Sequence, residues 1–484
     1  MFRMHLDLGI KLALEGNLEN AVVAFCKSIE LNPNYSPAYN NLGLVLSEMK
    51  KLYEAEACFR RAIELSPNDP HAYNNLGLVL IDLNFLQKAV ECFQRAIELF
   101  PDQPEIYNNL GTAWEEQSCI VEAKEAYCQA IQLNPNYPEA YYNMGGLMRR
   151  TKCIDEAETY FCRAIELKPD YSEAKLALAL LHFLRGKFEQ GWATYEKTRL
   201  RRCTDKQLKI PNWLGEDLTG RSILLYWEYG FGDTIQFVRY VNNVAKSACN
   251  IRISLWVQAP LERLLRSAHP NVNIVAGDCP PVGQYDFACS LLSLPVRLNT
   301  SSETIPDSVP YKIDHSKEDK NWCEILGNMD QGKRYRVGVV WAGHPKHLDD
   351  RKRSIPFAVF DQLFSVSNVS WVSLQVGVRA EDLTATSHTV INVSKQLIDF
   401  METAKLIEAL DIVITVDSAV AHLAATMGKT TWVLLSFDAD WRWQLAREDS
   451  PWYPAVRLFR QRKLDDWQEV IERVMVALQE QIDR

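Results

Sequence analysis

None of the twelve cysteines in this 484-residue chain is spaced as a C-x-x-C pair. That absence removes the common zinc-knuckle and thiol–disulfide frameworks. Five of the cysteines (Cys26, Cys58, Cys92, Cys128 and Cys162) fall at helical positions beside aromatic residues. Reduced, mostly buried thiols in a cytoplasmic protein are therefore expected. Clustered histidines are missing too, so no zinc site is expected. No apolar run reaches membrane-spanning length, and the opening MFRMHLDLGIKLALEGN carries a charge every few residues. Neither a signal peptide, nor a membrane anchor, nor a transmembrane segment is expected. The net charge of −9 comes with no basic stripe, which argues against a nucleic-acid partner. What remains is a globular composition, 47% hydrophobic and 24% charged, in a chain long enough for two or three domains.

Periodicity is abundant. Pro33, Pro67, Pro101, Pro135 and Pro169 are each 34 residues apart, and Gly9, Gly43, Gly77, Gly111 and Gly145 keep the same step. So do Ala62, Ala96, Ala130 and Ala164, and the aromatics Phe25, Phe59, Phe93, Tyr127, Phe161 and Tyr195. A unit such as PEIYNNLGTAWEEQSCIVEAKEAYCQAIQLN holds two helical periods around a polar turn, with small residues where the helices approach. Proline ends one unit and starts the next helix. This is the tetratricopeptide repeat pattern, and about six units span residues 1–202. Such units bury their apolar faces only by stacking, which builds an α-superhelix with a concave groove. Asn41, Asn75, Asn109 and Asn143 share one phase along that groove. An amide ladder can grip the backbone of an extended peptide, or it can be repeat consensus with solvated amides.

Past residue 203 the period changes. Short β-rich runs (SILLYWEYG, IRISLWVQ, NIVAG) alternate with amphipathic helices, which argues a parallel sheet with crossover helices. A loop-rich stretch at about 295–332 leads to a second such series, YRVGVVWAG through VSWVSLQVG to DIVITVDSAVAHLAATMGKTTWVLL. Two doubly wound, Rossmann-like lobes are expected, 203–330 and 331–484, with ligand bound beyond the carboxyl ends of their strands.

Chemistry-bearing residues do cluster after strands. In EYGFGDTIQF, Gly230 and Gly232 allow close backbone approach, and Asp233 opens the next helix, where an N-cap is the commonest role. YRVGVVWAG ends on Gly343, and after it comes a cationic run, Arg351, Lys352 and Arg353, either solvated or an anion site. Asp417 ends an apolar strand, and the helix behind it would aim the N–H groups of Ser418, Ala419 and Val420, with its positive end, at an anion. His422 lies on the same helix face as Ser418. In FDADWRW, the pair Asp438 and Asp440 has the spacing of a metal-binding motif, but the adjacent tryptophans favour an aromatic-packing loop. No resident metal or cofactor is expected.

The segments GFGDTIQFVRY, RKRSIP, DIVITVDSAVAHLAATMGKTTWVLL and DWRWQLAREDSPWYPAVRLFRQ resemble the glycosyltransferase family 9 (heptosyltransferase-like) domain of bacterial tetratricopeptide-repeat proteins. The layout more distantly resembles the O-linked N-acetylglucosamine transferases, in which an asparagine-lined superhelix precedes a GT-B catalytic domain. The resemblance implies a GT-B pair of lobes after the repeats, acceptor side first and nucleotide-sugar donor side second. It implies Asp233 as general base, Arg353 with Ser354 at the donor diphosphate, and Asp417, Ser418, Ala419 and His422 as the phosphate segment. Gly230, Gly232, Gly343, His344 and Gln375 fall among the donor contacts. Two positions depart from the pattern: His344 stands where asparagine is usual, and Val376 follows Gln375 where lysine is common. The expected activity is metal-independent, inverting transfer from a nucleotide-diphosphate sugar to an acceptor hydroxyl, with a protein or peptide recruited by the repeats. The competing expectation is a non-catalytic interaction scaffold with a degenerate transferase-like domain.

Overall fold

The computed structural model describes residues 1–199, 208–307, 311, 322–329, 335–347 and 350–483. The chain divides into two compact units, Met1–Leu178 and Ala179–Arg484. Among the described residues no helix is long and apolar enough to cross a membrane.

The first unit is a stack of helical hairpins. They are α1 (Phe2–Leu14) with α2 (Leu18–Leu31), α3 (Ser36–Glu48) with α4 (Leu52–Leu65), α5 (Pro70–Asp82) with α6 (Leu86–Leu99), α7 (Pro104–Glu116) with α8 (Ile120–Leu133), and α9 (Pro138–Arg150) with α10 (Ile154–Leu167). A sixth pair, α11 (Ser172–Leu184) and α12 (Phe188–Arg199), carries the boundary between the units inside α11. At three junctions two prolines divide the labour: Pro67 sits in the turn after α4 and Pro70 is the first residue of α5, and Pro101 with Pro104 and Pro135 with Pro138 repeat the arrangement. Proline suits that first position because the helix needs no N–H there.

The two 34-residue series of glycine and aromatic residues are one feature. A Cβ on Gly77 would lie 2.6 Å from the Phe93 ring, and one on Gly111 would lie 2.5 Å from Tyr127. Each first helix thus seats the ring of its partner helix. A third series went unnoticed in the sequence. The first helices end on Gly16, Lys50, Asn84, Ser118, Lys152 and Gly186, all at positive φ. That left-handed residue returns the chain, and at Lys50 the following N–H of Lys51 bonds Leu46 O at 2.9 Å.

The asparagine ladder is held by its neighbours. Asn75 Nδ2 donates to Asn40 Oδ1 of the preceding repeat at 3.0 Å. Asn109 donates likewise to Asn74 and Asn143 to Asn108, both at 2.9 Å. One amide N–H of each is therefore committed to stitching repeats together. The expectation of mostly buried thiols is corrected: Cys26, Cys128 and Cys162 are exposed, Cys58 and Cys92 half-buried, and Cys289 is the buried one among the described residues. Cys26, Cys128 and Cys162 directly follow their repeat's buried second-helix aromatic, and Cys58 and Cys92 directly precede it, one position off the buried stripe.

The second unit holds two parallel sheets. The smaller comprises β1 (Ser222–Tyr226), β2 (Arg252–Val257), β3 (Asn273–Ala276) and β4 (Phe287–Ser290), in the order β3-β2-β1-β4. The larger comprises β5 (Tyr335–Val340), β6 (Val369–Ser373), β7 (Val390–Asn392), β8 (Ile412–Val416), β9 (Thr431–Leu435) and β10 (Val456–Arg460), in the order β10-β9-β8-β5-β6-β7. Counted from β5, that is the doubly wound order 3-2-1-4-5-6, and every pairing is parallel. Strand order reverses between β5 and β8, and between β1 and β4 in the smaller sheet. In doubly wound sheets such reversals are where the loops leaving adjacent strands diverge and ligands bind. The strands β1, β8 and β9 are buried along their whole length, which is why they read as unbroken apolar runs. In the loop-rich stretch before β5, the described residues include a helix, Trp322–Met329, and the rest of that connection lies largely outside the described residues.

Candidate functional site

The site is built where both switch points face each other. After β1 the chain turns through Tyr229 and Gly230 into α13 (Phe231–Phe237). Gly230 is the cap of that helix, and Asp233 sits in its first turn. Asp233 Oδ2 accepts the Gly230 N–H at 3.0 Å, so the carboxylate caps its own helix. Its other oxygen, Oδ1, accepts from the guanidinium of Arg442, more than 200 residues away. One fifth of the Asp233 side chain remains exposed, 20%. Burial pushes its carboxyl above the ordinary value against the pull of Arg442, and Asp440 adds to the rise.

After β8, Asp417 and Ser418 lead into α16 (Ala419–Thr426; α14 is Glu262–Ala268 and α15 is Phe400–Glu408). Ser418 is the cap residue, and its hydroxyl lies 3.0 Å from Thr415 Oγ1, leaving the first N–H groups of the helix without a side-chain cap. Asp417 is pushed up to about 6 by burial first and by the charge of Asp440 second, while Arg353 and Arg442 oppose the rise.

His422 does not pair with Asp417. Its Nδ1 shares a hydrogen with Tyr453 OH at 2.8 Å, and its ring stacks on Trp443 with centroids 5.4 Å apart. The residue is 5% exposed. Burial, reinforced by the cations of Arg442, Arg239 and Arg353, holds it well below its ordinary value and therefore neutral. It packs against Gly232 of α13, where a Cβ would come within 2.8 Å of the imidazole. Helices from the two lobes touch through this glycine.

After β5 the loop carries Gly343, whose N–H is held by Ser354 Oγ at 2.9 Å; Ser354 in turn donates to Asp350 at 2.9 Å. Arg353 lies over Gly343 so closely that a Cβ would meet its guanidinium at 2.6 Å. Among the described residues Arg353 Nε is buried and has no hydrogen-bond partner, with Asp350 Oδ1 the carboxylate oxygen at 3.9 Å. Gln375 is a brace: its Oε1 accepts from the N–H groups of Trp341 and Ala342 at 3.3 and 3.1 Å. His344 is exposed, and its Nδ1 accepts the Lys346 N–H at 3.2 Å. Of the sequence candidates in this unit, Gly230, Gly232, Asp233, Arg353, Asp417, Ser418, Ala419 and His422 meet. Gly343, Ser354 and Gln375 shape the loop beneath Arg353. Asn41, Asn75, Asn109 and Asn143 belong to the other unit.

The residues missed are in FDADWRW. Its tryptophans do pack, with Trp441 8% exposed and Trp443 fully buried. Yet Asp440 and Arg442 join the site from the same loop, Arg442 Nη1 donating to Asp440 Oδ1 at 2.9 Å and its Nε to Gln236 Oε1 at 2.6 Å. The available signal was charge: an arginine between two tryptophans is seldom buried without carboxylate partners. Three carboxylates (Asp233, Asp417, Asp440) and two guanidiniums (Arg353, Arg442) thus share one partly dry cluster. Among the described residues no group of three acidic, histidine or cysteine side chains is arranged to hold a metal ion.

The lobes are latched at the rim. Arg263 of α14 pairs with Asp399 at 2.8 Å and Glu402 of α15 at 3.3 Å. Arg239, 2% exposed, donates to Trp452 O at 2.9 Å and lies 4.8 Å from the Tyr453 ring centroid.

Comparison with known proteins gives the following. The glycosyltransferase family 9 (heptosyltransferase) model matches residues 377–435, which contain β8, Asp417 and α16. Tetratricopeptide repeat models match residues 34–102, 120–149 and 138–171. Protein FlbA of Caulobacter vibrioides is 23% identical over 337 residues, 63% of this chain and 55% of FlbA. The probable UDP-N-acetylglucosamine–peptide N-acetylglucosaminyltransferase SPINDLY of Hordeum vulgare is 49% identical over 43 residues, 9% of this chain and 5% of that protein. The chain thus spans about half the length of FlbA and a small fraction of SPINDLY. Among solved structures, PilF of Pseudomonas aeruginosa aligns at 21% identity with a TM-score of 0.36, over 41% of this chain and 89% of PilF. MamA aligns at 25% identity with a TM-score of 0.31, over 34% of this chain and 96% of MamA. The chain joins tetratricopeptide repeats to a glycosyltransferase family 9 segment.

Proposed function

We propose that this chain is an inverting, metal-independent GT-B glycosyltransferase that moves a sugar from a nucleotide-diphosphate sugar to an acceptor hydroxyl. One observation carries the reading. A partly exposed carboxylate on the first lobe, Asp233, meets the Arg442 guanidinium of the second lobe beside an uncapped helix N-terminus.

The leaving nucleoside diphosphate gathers negative charge as the glycosidic bond breaks. The N–H groups at the start of α16 and the unbonded Nε of Arg353 are preorganised for that charge, and each such donor is typically worth about 3 kcal/mol. Asp233, with its proton affinity raised by burial, takes the proton of the attacking hydroxyl. A single base on the acceptor side implies one displacement and hence inversion. Similarity to SPINDLY, a probable peptide N-acetylglucosaminyltransferase, supports a protein or peptide acceptor recruited by the repeats of a cytoplasmic enzyme. Asn75, Asn109 and Asn143 each spend one amide hydrogen on the stitching bond, which leaves a second amide hydrogen and the carbonyl oxygen for that purpose.

A second reading is a non-catalytic repeat scaffold, favoured by the capture of both Asp233 oxygens within the protein. A thermal-shift panel of nucleoside diphosphates and their sugars, with and without magnesium, separates the two. Stabilisation by one donor without magnesium, and its transfer lost in Asp233→Ala with binding retained, fits the transferase. Absence of any shift sinks it.

A further inference from the structure

Arg442 spends every edge of its guanidinium. Nη2 meets Asp233 Oδ1, Nε meets Gln236 Oε1 at 2.6 Å, and Nη1 meets Asp440 Oδ1 at 2.9 Å. Its carbon centre lies 4.5 Å from the Trp441 ring centroid. Trp441 rests in turn on the last helical pair, with centroids 4.6 Å from Phe183 and 5.8 Å from Trp192. The loop then leaves through Gln444 at φ 54 and ψ −170, a conformation costly for any residue with a side chain. Such backbone persists only where the surroundings over-determine it, here through the Trp441 O to Gln444 N–H bond at 3.1 Å and through the packing of both tryptophans.

We propose that Arg442 is the positioning residue of Asp233, and that the final repeat helices seat Arg442 through Trp441. The inference rests on Asp233 as the base. A carboxylate has two acceptor directions on each oxygen. The Gly230 N–H fixes one direction on Oδ2 and Arg442 fixes one on Oδ1, so the carboxylate cannot turn and its remaining lone pairs keep one heading. Only a planar fork reaches Asp233, Gln236 and Asp440 together; a lysine ammonium is a single point. The groups facing Asp233 are Arg442 and Asp440, and those facing Arg442 are Asp440, Asp233 and Asp417. Loss of Arg442 leaves Asp233 with burial and a like charge, both of which raise its proton affinity.

The test uses the full chain and a donor identified by thermal shift, measuring kcat, donor KM and the pH profile of kcat/KM. Arg442→Lys should lower kcat by about tenfold to a hundredfold with donor KM within about twofold. Arg442→Ala should move the acidic limb of the profile to higher pH, and Trp441→Ala should move it the same way with Arg442 intact. If Arg442→Ala does not fold, Arg442→Lys decides alone. An unchanged kcat and acidic limb in folded variants overturns the proposal, as does a rise in donor KM with kcat intact. If Asp233→Asn transfers at the wild-type rate, the base assignment itself is wrong, which is a different failure from an unaltered Arg442 variant.

Discussion

Gly232 and His422 lie against each other across the two lobes, with room for hydrogen but not for carbon: a Cβ on Gly232 would stand 2.8 Å from His422 Cδ2 and 3.7 Å from the backbone of Ala419. His422 cannot move aside, because Trp443 stacks on one face and Tyr453 holds its Nδ1. Gly232→Ala therefore has to separate α13 from α16. We expect a loss of about 1–3 kcal/mol in stability, as for other overpacked contacts, together with weaker donor binding. Thermal unfolding with and without the donor measures both. A variant as stable as wild type would mean that the lobes slide freely at this contact.

How much of this was legible in the sequence depends on how local each feature is. The repeat phase was visible because one glycine, one aromatic and one proline recur at every step. The left-handed helix ends were not, because Lys50, Asn84, Ser118 and Lys152 share a backbone conformation and no chemistry. That Asp233, Gly343 and Asp417 follow strands could be read, since apolar parallel strands give way abruptly to polar, glycine-containing loops. The role of Arg442 could be read only in part: an arginine between two tryptophans signals a carboxylate partner, but its partners in α13, Asp233 and Gln236, lie more than 200 residues away. The asparagine ladder was seen in phase, but its function as a stitch needed the preceding asparagine of each doublet, Asn40, Asn74 and Asn108.

Ser118 and Lys152 hold φ of 60 and 62 at the ends of α7 and α9, where Gly16 and Gly186 serve the first and last repeats. An L-residue there costs about 1 kcal/mol relative to glycine, partly offset by the greater freedom of glycine in the unfolded chain. Ser118→Gly and Lys152→Gly should each raise the stability of the repeat unit by about 0.5 kcal/mol, read as a higher urea midpoint at unchanged m-value. A lower midpoint would show that unfolded-state entropy outweighs the backbone strain.

From residue 179 onward the last repeat helices are part of the second unit. Glu196 of α12 accepts from Ser293 at 2.8 Å and pairs with Arg297, and Phe188 lies 5.5 Å from Trp452 between ring centroids. A fragment beginning at residue 203, where the repeat pattern ends, would uncover Trp441, Trp452 and Phe237, which are 8%, 2% and 0% exposed. It should unfold at a lower temperature than a fragment beginning at residue 179 and should bind hydrophobic dyes. Equal melting temperatures would show that these aromatics contribute nothing to the fold of the sheets.

Two buried groups pull acid stability in opposite directions. Asp417 is raised to about 6, so the folded state binds its proton more tightly than the unfolded chain does. Stability from this residue is greatest below about pH 4 and falls as pH rises towards about 6. His269 is 3% exposed, neither ring nitrogen has a partner among the described residues, and burial lowers it to about 4. Here the unfolded chain takes the extra proton, so stability is complete above about pH 6.5 and is lost as pH falls towards about 4, by about 3 kcal/mol. His269→Leu should flatten the acid limb of a melting-temperature profile, and Asp417→Asn should raise the melting temperature most at pH 7. Because the donor phosphates would sit beside Asp417, the same Asn variant should also lose the pH dependence of donor binding between pH 5 and 7. If that dependence survives while the stability profile changes, Asp417 is a packing residue of the crevice and takes no part in holding the donor.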